Sequence, residues 1–305
     1  MKNRLFFFVF LLGLFLGTHV LAMTSTNFQI PWDSMNSGGD DISSSTNFRV
    51  RDTIGDNASG TSTSSNFQLS AGYRAPEGAN ILQSVIRAET ASTETGYSFF
   101  SSTSTSVSVS STAAFSVDNY IGVVQNRGFS QLIAVGKISS VSGTVLTVDS
   151  FDGDTSSMST TTGGGDDFVY RLDSNSVAFG TVTAGTDKVA VALASSLTNV
   201  STGFSMYLQA NQELQKSVSD IIDAVVDGTV TSGVEEYGVE QVGSTAVSAG
   251  TDLGVTTTQR AIQTNGASSG SVADRVAMSF KLSITSATPE GSYSQSVFYT
   301  LTANY

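Results

Sequence analysis

Cysteine is absent from this 305-residue chain, and histidine occurs once, at His19. That histidine lies in a segment with the layout of a secretory signal. Lys2 and Arg4 give a positive start, Phe6 to Gly17 is a short apolar run, and Val20-Leu21-Ala22 is a small-residue cleavage site. A chain cut after Ala22 has no thiol nucleophile, no imidazole base and neither of the usual side-chain ligands of zinc or copper. The reading is therefore a protein without catalytic residues or a cofactor. Export permits disulfides, yet none can form, so stability has to come from the core, from sheet hydrogen bonding or from assembly. No second apolar run of about 18 residues follows, so no membrane span is expected after signal cleavage. A Leu-Pro-x-Thr-Gly sorting motif is missing as well.

Positive charge is also in short supply. Without Lys2 and Arg4, 12 basic residues face 26 acidic ones, a net charge of −14. Nucleic acid demands the opposite sign and a basic stripe, so it is rejected as a partner. Serine, threonine and glycine fill most polar positions. Val, Ile, Leu and Phe remain frequent enough for a core, and the length suits one large domain or two small ones.

Residues 23–74 contain a repeat. Thr26-Asn27-Phe28-Gln29-Ile30 recurs as Thr46-Asn47-Phe48-Arg49-Val50 and as Ser65-Asn66-Phe67-Gln68-Leu69. In each copy Phe and the aliphatic two residues later share one face of a short strand. Turn-rich stretches at 37–41 and 55–60 separate the copies. Three short strands bury little by themselves and need a neighbour, either the rest of the chain or another copy of it.

Arg74-Ala75-Pro76-Glu77-Gly78 reads as a linker, and Ile81 to Ile86 as a strand. The Ser/Thr-rich stretch 90–113 places Phe99, Val107 and Val109 on one parity, which predicts a polar-faced strand pair rather than a stalk. Residues 115–172 read as a small β insertion, with strands at 121–124, 132–138, 145–148 and 168–172 and a hairpin closed at Ser142-Gly143. Leu214, Val218, Ile221, Ile222 and Val225 fit helical spacing, with Gly228 as the stop. Val276, Met278, Phe280, Leu282 and Ile284 share one strand face. The chain then turns through Thr288-Pro289-Glu290-Gly291 and returns as Tyr293, Val297, Tyr299 and Leu301, predicting a C-terminal hairpin. The expected fold is all-β. It is an antiparallel β-sandwich of jelly-roll or immunoglobulin-like kind over 75–305, with the small insertion at about 115–172. One or two short helices at most accompany it.

Ala287-Thr288-Pro289-Glu290-Gly291-Ser292-Tyr293 followed by Val297-Phe298-Tyr299-Thr300-Leu301-Thr302 resembles the closing hairpin of bacterial secreted surface sandwiches: pilin-like subunits, spore-coat-type subunits and WxL wall-binding domains. Val177 to Val182, Thr202 to Met206 and Glu235 to Val239 are similar to the opening elements of such domains. The Asn-Phe repeats look like short β-repeats at the ends of bacterial secreted proteins. The resemblance implies a bacterial surface or filament subunit. The chain departs from it in lacking a disulfide and a Trp-x-Leu signature, since its one tryptophan is Trp32.

Candidate constellations are few. Asp149, Asp152, Gly153 and Asp154 form a short acidic turn of the kind that could hold Ca²⁺, but it lacks EF-hand spacing, so a solvated loop is expected there and no metal is assigned. Asp166-Asp167 and Asp40-Asp41 are weaker still. Glu235-Glu236 would point to opposite strand faces and cannot converge on a sugar. Lysine isopeptide linkage requires a buried lysine, and both Lys188 and Lys281 sit opposite the apolar parity of their strands, so none is expected.

The functional expectation is a secreted, non-catalytic structural protein of the cell surface that associates with other copies of itself. Phe28, Phe48 and Phe67, with Trp32 as a further anchor, would enter a groove on the neighbouring copy by β-strand addition. The alternative is an extracellular glycan- or cell-wall-binding adhesin with Tyr120, Phe129 and Phe151 as an aromatic platform.

Overall fold

The computed structural model describes residues 81–162 and 165–304, preceded by the backbone of four short strands. The chain divides into two compact units, Met1–Ala79 and Asn80–Tyr305. In the first unit β1 (Ser43–Ser44) pairs antiparallel with β2 (Arg49–Val50), and β3 (Gly60–Thr63) with β4 (Gln68–Ala71). Phe28, Trp32, Phe48 and Phe67 lie outside the described residues.

The second unit opens with β5 (Leu82–Glu89) and a single 3-10 turn at Ala91–Thr93. Six strands follow: β6 (Thr95–Ser101), β7 (Ser106–Val109), β8 (Tyr120–Gln125), β9 (Leu132–Ser142), β10 (Val145–Gly153) and β11 (Phe168–Ser174). Their pairing runs β11-β6-β7-β10-β9-β8, and β8 pairs again with β11, from Phe168↔Val124 to Leu172↔Tyr120. The ring is closed. This overturns the expected sandwich: the region read as a small insertion, together with the Ser/Thr-rich strands before it, is a six-stranded β-barrel.

Bulges allow so short a ring to curl. The β9–β10 ladder shifts register between Thr147 and Val148 and again before Phe151, and β6–β7 shifts between Tyr97 and Phe99. Each extra residue bends its strand and exchanges its faces. As a result Phe100, not Phe99, enters the lumen beside Val107 and Val109, while Phe99 faces solvent. Gly136 supplies a close approach, since a Cβ there would lie 2.7 Å from the Ser150 carbonyl oxygen. Ile121, Val123, Ala134, Ile138, Leu146, Val148 and Val169 fill the rest of the lumen.

Beyond the barrel come β12 (Lys188–Thr198), β13 (Phe204–Ala210), β14 (Leu214–Ser217), β15 (Asp220–Ile222), β16 (Glu236–Val242), β17 (Asp252–Leu253), β18 (Arg260–Asn265), β19 (Asp274–Ser283) and β20 (Val297–Ala303). The barrel continues through β11 into a sheet of order β11-β5-β12-β19-β16-β17. A separate sheet, β18-β13-β20, covers one face of it. Val276, Met278, Phe280 and Leu282 of β19 pack there against Met206, Leu208, Ile262, Val297, Tyr299 and Leu301. Each fully buried side chain of this size contributes roughly 1.5–3 kcal/mol. On the other face Val191, Leu193, Val242 and Ala277 pack against Val124, Ile133, Val135, Tyr170 and Leu172 on the outside of the barrel.

Two further expectations are corrected. The C-terminal hairpin does not form, because β19 pairs with β12 and β16 while β20 pairs with β13. Their apolar faces do share one core, but from opposite layers. Alternation reports which face is buried, not which strand lies alongside. The helix at 214–225 is instead the β14–β15 hairpin, with Leu214 opposite Ile222 and Val218 exposed at its turn. An eight-residue separation that fits a helix face equally fits two positions facing each other across a tight hairpin. No helix among the described residues is long and apolar enough to cross a membrane.

Candidate functional site

Alternation on β19 puts Arg275, Ala277, Ser279, Lys281 and Ser283 on one face, a pattern that reads as a solvent face. All five are buried: Arg275, Ala277 and Ser279 meet the barrel side, and Lys281 and Ser283 are covered by groups from β16, β17 and the turn at Gly233. The polar members are consequently paired. Gln131 donates from Nε2 to Ser279 Oγ at 2.8 Å, and Ser283 Oγ accepts the Gly233 N–H at 2.9 Å. Arg275, 2% exposed, meets Asp149 of β10 with both ends of its guanidinium: Nη1 to Oδ1 at 2.8 Å and Nη2 to Oδ2 at 2.5 Å. Nη1 also donates to the carbonyl and hydroxyl of Ser150, and the guanidinium lies 5.8 Å from the Tyr120 ring centroid.

Lys281, 6% exposed, forms the second buried ionic group. Its Nζ lies 2.7 Å from Glu240 Oε2 and 2.9 Å from Asp252 Oδ1. Register explains the convergence. Glu240 on β16 stands opposite Asp252 on β17 and opposite Ser279 on β19, and Lys281 lies two residues along on the same face. Asp252 Oδ2 accepts the Val230 N–H at 2.7 Å. Asp252 Oδ1 is buried and makes no hydrogen bond of ordinary geometry. The expectation that Lys281 would sit in water is overturned. The sequence signal was the parity itself, misread because a polar face was equated with a wet one.

The acidic stretch at 149–154 is not a solvated loop. Asp149 and Asp152 belong to β10, and the three carboxylates serve different partners. Burial pushes the Asp149 carboxyl up, but the hydrogen bonds and charge of Arg275, with the Ser150 and Lys137 N–H groups, outweigh it and hold that carboxyl below its usual range. Asp152 accepts from Ser244 Oγ at 3.2 Å, and Asp154 accepts the Ile133 N–H at 3.0 Å. Burial raises both, and the charge of Glu240 raises Asp154 further. Among the described residues no three acidic or histidine side chains gather as metal ligands. Asp167 accepts the Asn126 N–H at 2.9 Å, and Glu235 and Glu236 bond to Thr288 and to the Thr231 N–H respectively.

Nor do the aromatic candidates form a platform. Phe151 packs against the barrel lumen cluster with its ring 5.0 Å from that of Phe100. Tyr120 lies half-buried under Arg275 on the outer wall, and Phe129 is half-buried in the β8–β9 connection.

A different feature is open. Among the described residues β20 is an end strand of its sheet, and its seven residues, Val-Phe-Tyr-Thr-Leu-Thr-Ala, pair with β13 in unbroken register. It carries no charge, proline or glycine, the devices that ordinarily blunt an edge. Phe298 is 56% exposed. The Asn304 N–H donates to Gly203 O and the Asn211 N–H to Ser296 O, which fixes the phase of the ladder. Phe298, Thr300 and Thr302 therefore bond inward to β13, and Val297, Tyr299, Leu301 and Ala303 turn their backbone groups to the open side. β20 also lies against β5, where Ile86 is half-buried beneath the upper sheet and Leu82 of the same parity is exposed. No known family, characterised protein or solved structure matches this chain.

Proposed function

We propose that this chain is an exported, non-catalytic structural subunit of a cell surface that associates with its own copies by β-strand addition at β20. The open edge of β20 carries the reading. A seven-residue, uncharged edge beside the partly bare apolar face of β5 has the geometry of a strand acceptor. The Asn-Phe repeats supply donors of matching pattern. A strand with Phe28 and Ile30, or Phe48 and Val50, on one face would cover Leu82 and Ile86 and bond to the outward backbone of β20 in another copy. Exchange between copies also accounts for a secreted chain that dispenses with disulfides.

Sedimentation and negative-stain imaging of residues 23–305 over a concentration series test this. Concentration-dependent polymers are expected, and they should vanish in Phe298→Lys/Thr300→Lys, whose side chains lie on the exposed face and leave the core intact. Removal of residues 23–74 should likewise give folded monomers. Polymers from the charged-edge variant indistinguishable from those of the parent, or a parent that stays monomeric throughout, would sink the proposal.

A further inference from the structure

The Lys281 cluster holds every group needed for an amide bond between two side chains. We propose that Lys281 and Asp252 condense to an intramolecular isopeptide bond, with Glu240 as the proton-transfer group.

Four observations converge. The amine and both carboxylates are held on one face of three adjacent strands, with Nζ at 2.9 Å from Asp252 and 2.7 Å from Glu240. Lys281 and Asp252 are only 6% and 5% exposed, so water, both competitor and product, is largely excluded. The two oxygens of Asp252 are unlike. Oδ2 is fixed by the Val230 N–H, a donor placed to stabilise negative charge on that oxygen, whereas Oδ1 has no ordinary hydrogen bond and is the oxygen beside Nζ. Finally, Ser279 and Ser283, which flank Lys281 on its strand face, are themselves buried and bonded to Gln131 and to the Gly233 N–H, so that face is dry on both sides of the amine. Burying charge is costly even when it is paired, which favours the neutral amide over the ionic reactants, and fixed geometry removes the entropic barrier to their meeting.

The chemistry balances without a co-reactant. A proton passes from the Lys281 ammonium to Oδ1 of Asp252, leaving a neutral amine and a carboxylic acid. The Nζ lone pair attacks Cγ, and charge develops on Oδ2 opposite the Val230 N–H. Glu240 accepts a proton from the attacking nitrogen and delivers it to the departing Oδ1 hydroxyl. The Cγ–Oδ1 bond breaks, one water leaves, and Glu240 is again a carboxylate. The product joins β17 to β19 across β16, fastening the two-residue end strand to the centre of the sheet.

Mass spectrometry of the purified, denatured full chain decides the matter. The expected result is an intact mass one water below that of the sequence, together with a branched peptide joining the segments around Lys281 and Asp252. Glu240→Gln, which preserves size and hydrogen bonding, should recover the full mass and lose the branched peptide, as should Lys281→Arg. A parent chain of full mass after prolonged incubation overturns the proposal, whatever the variants do. A branch mapped to Glu240 overturns the assignment of roles, and an undiminished bond in Glu240→Gln overturns the part given to Glu240.

Discussion

Removing Asp149 should harm the protein more than removing its partner Arg275. The guanidinium is 2% exposed and lies between the sheet and the barrel, with Ser150 and the Tyr120 ring as its other neighbours. The carboxylate side chain is 28% exposed and receives the Ser150 and Lys137 N–H groups. Breaking a buried pair from one side costs about 3–5 kcal/mol, because an uncompensated charge is stranded. Asp149→Ala strands the cation, but Ser150 remains and water can enter the vacated site, so the lower end, about 3 kcal/mol, is expected. Arg275→Met strands nothing. The Asp149 carboxylate keeps two backbone donors and reaches solvent, which sets the loss at about 1–2 kcal/mol. The double variant should lose much less than the sum of the two, giving a coupling energy of about 2 kcal/mol. Urea denaturation at neutral pH, with an unchanged m value, measures all three. A larger loss for Arg275→Met than for Asp149→Ala would refute the reasoning, as would an Asp149→Ala loss below about 1 kcal/mol, the size of a surface ion pair.

Further outcomes follow from the same geometry. Glu89, Asp152 and Asp154 are raised chiefly by burial, so the folded chain holds protons that the unfolded chain releases, and stability should increase as pH falls from neutral towards those values. Asp149 is held low, and its contribution, present above its unfolded pKa, should disappear as pH falls through the folded one. Thermal denaturation should therefore peak in mild acid, and a steady decline from neutral downward would contradict this. Gly153→Ala should abolish folding of the barrel, because φ is +123° and the added Cβ would lie 2.2 Å from the Ile133 carbonyl oxygen; a native circular-dichroism melt would disprove it. Phe151→Ala should lose about 2–4 kcal/mol as a cavity in the barrel; a sugar-binding defect without loss of stability would return Phe151 to the surface.

Strand positions were largely legible in the sequence, and strand neighbours were not. Alternation located β19 and β20, because period-two burial is a local property. Closure of the barrel depends on β8 meeting β11, and on bulges at Phe99 and Val148 that exchange faces without a compositional mark. The buried cluster was hidden for a related reason. Arg275, Ser279 and Lys281 look like a water-facing row, and only tertiary packing, by the barrel side for Arg275 and Ser279 and by acids of β16 and β17 for Lys281, turns that row inward. The two acids that answer Lys281 come from β16 and β17, and no spacing rule connects Glu240 and Asp252 to it. The open edge of β20 could be read only as an apolar strand, since its sequence does not say which side remains unpaired.

β11 has only two edges but three partners. One edge runs along β8; the other is divided between β6, at Phe168 and Val169, and β5, at Leu172 and Ser174. Barrel and sheet are thus woven through a common strand rather than joined by a linker. The 80–305 unit offers no seam at which recombination or a protease could separate working halves. An excised barrel would expose Ile133, Val135, Tyr170 and Leu172 to water, and the remaining sheet would lose the wall that shelters its charges. Such a unit is inherited and degraded whole, and new binding specificities can be added to it only at its loops and ends.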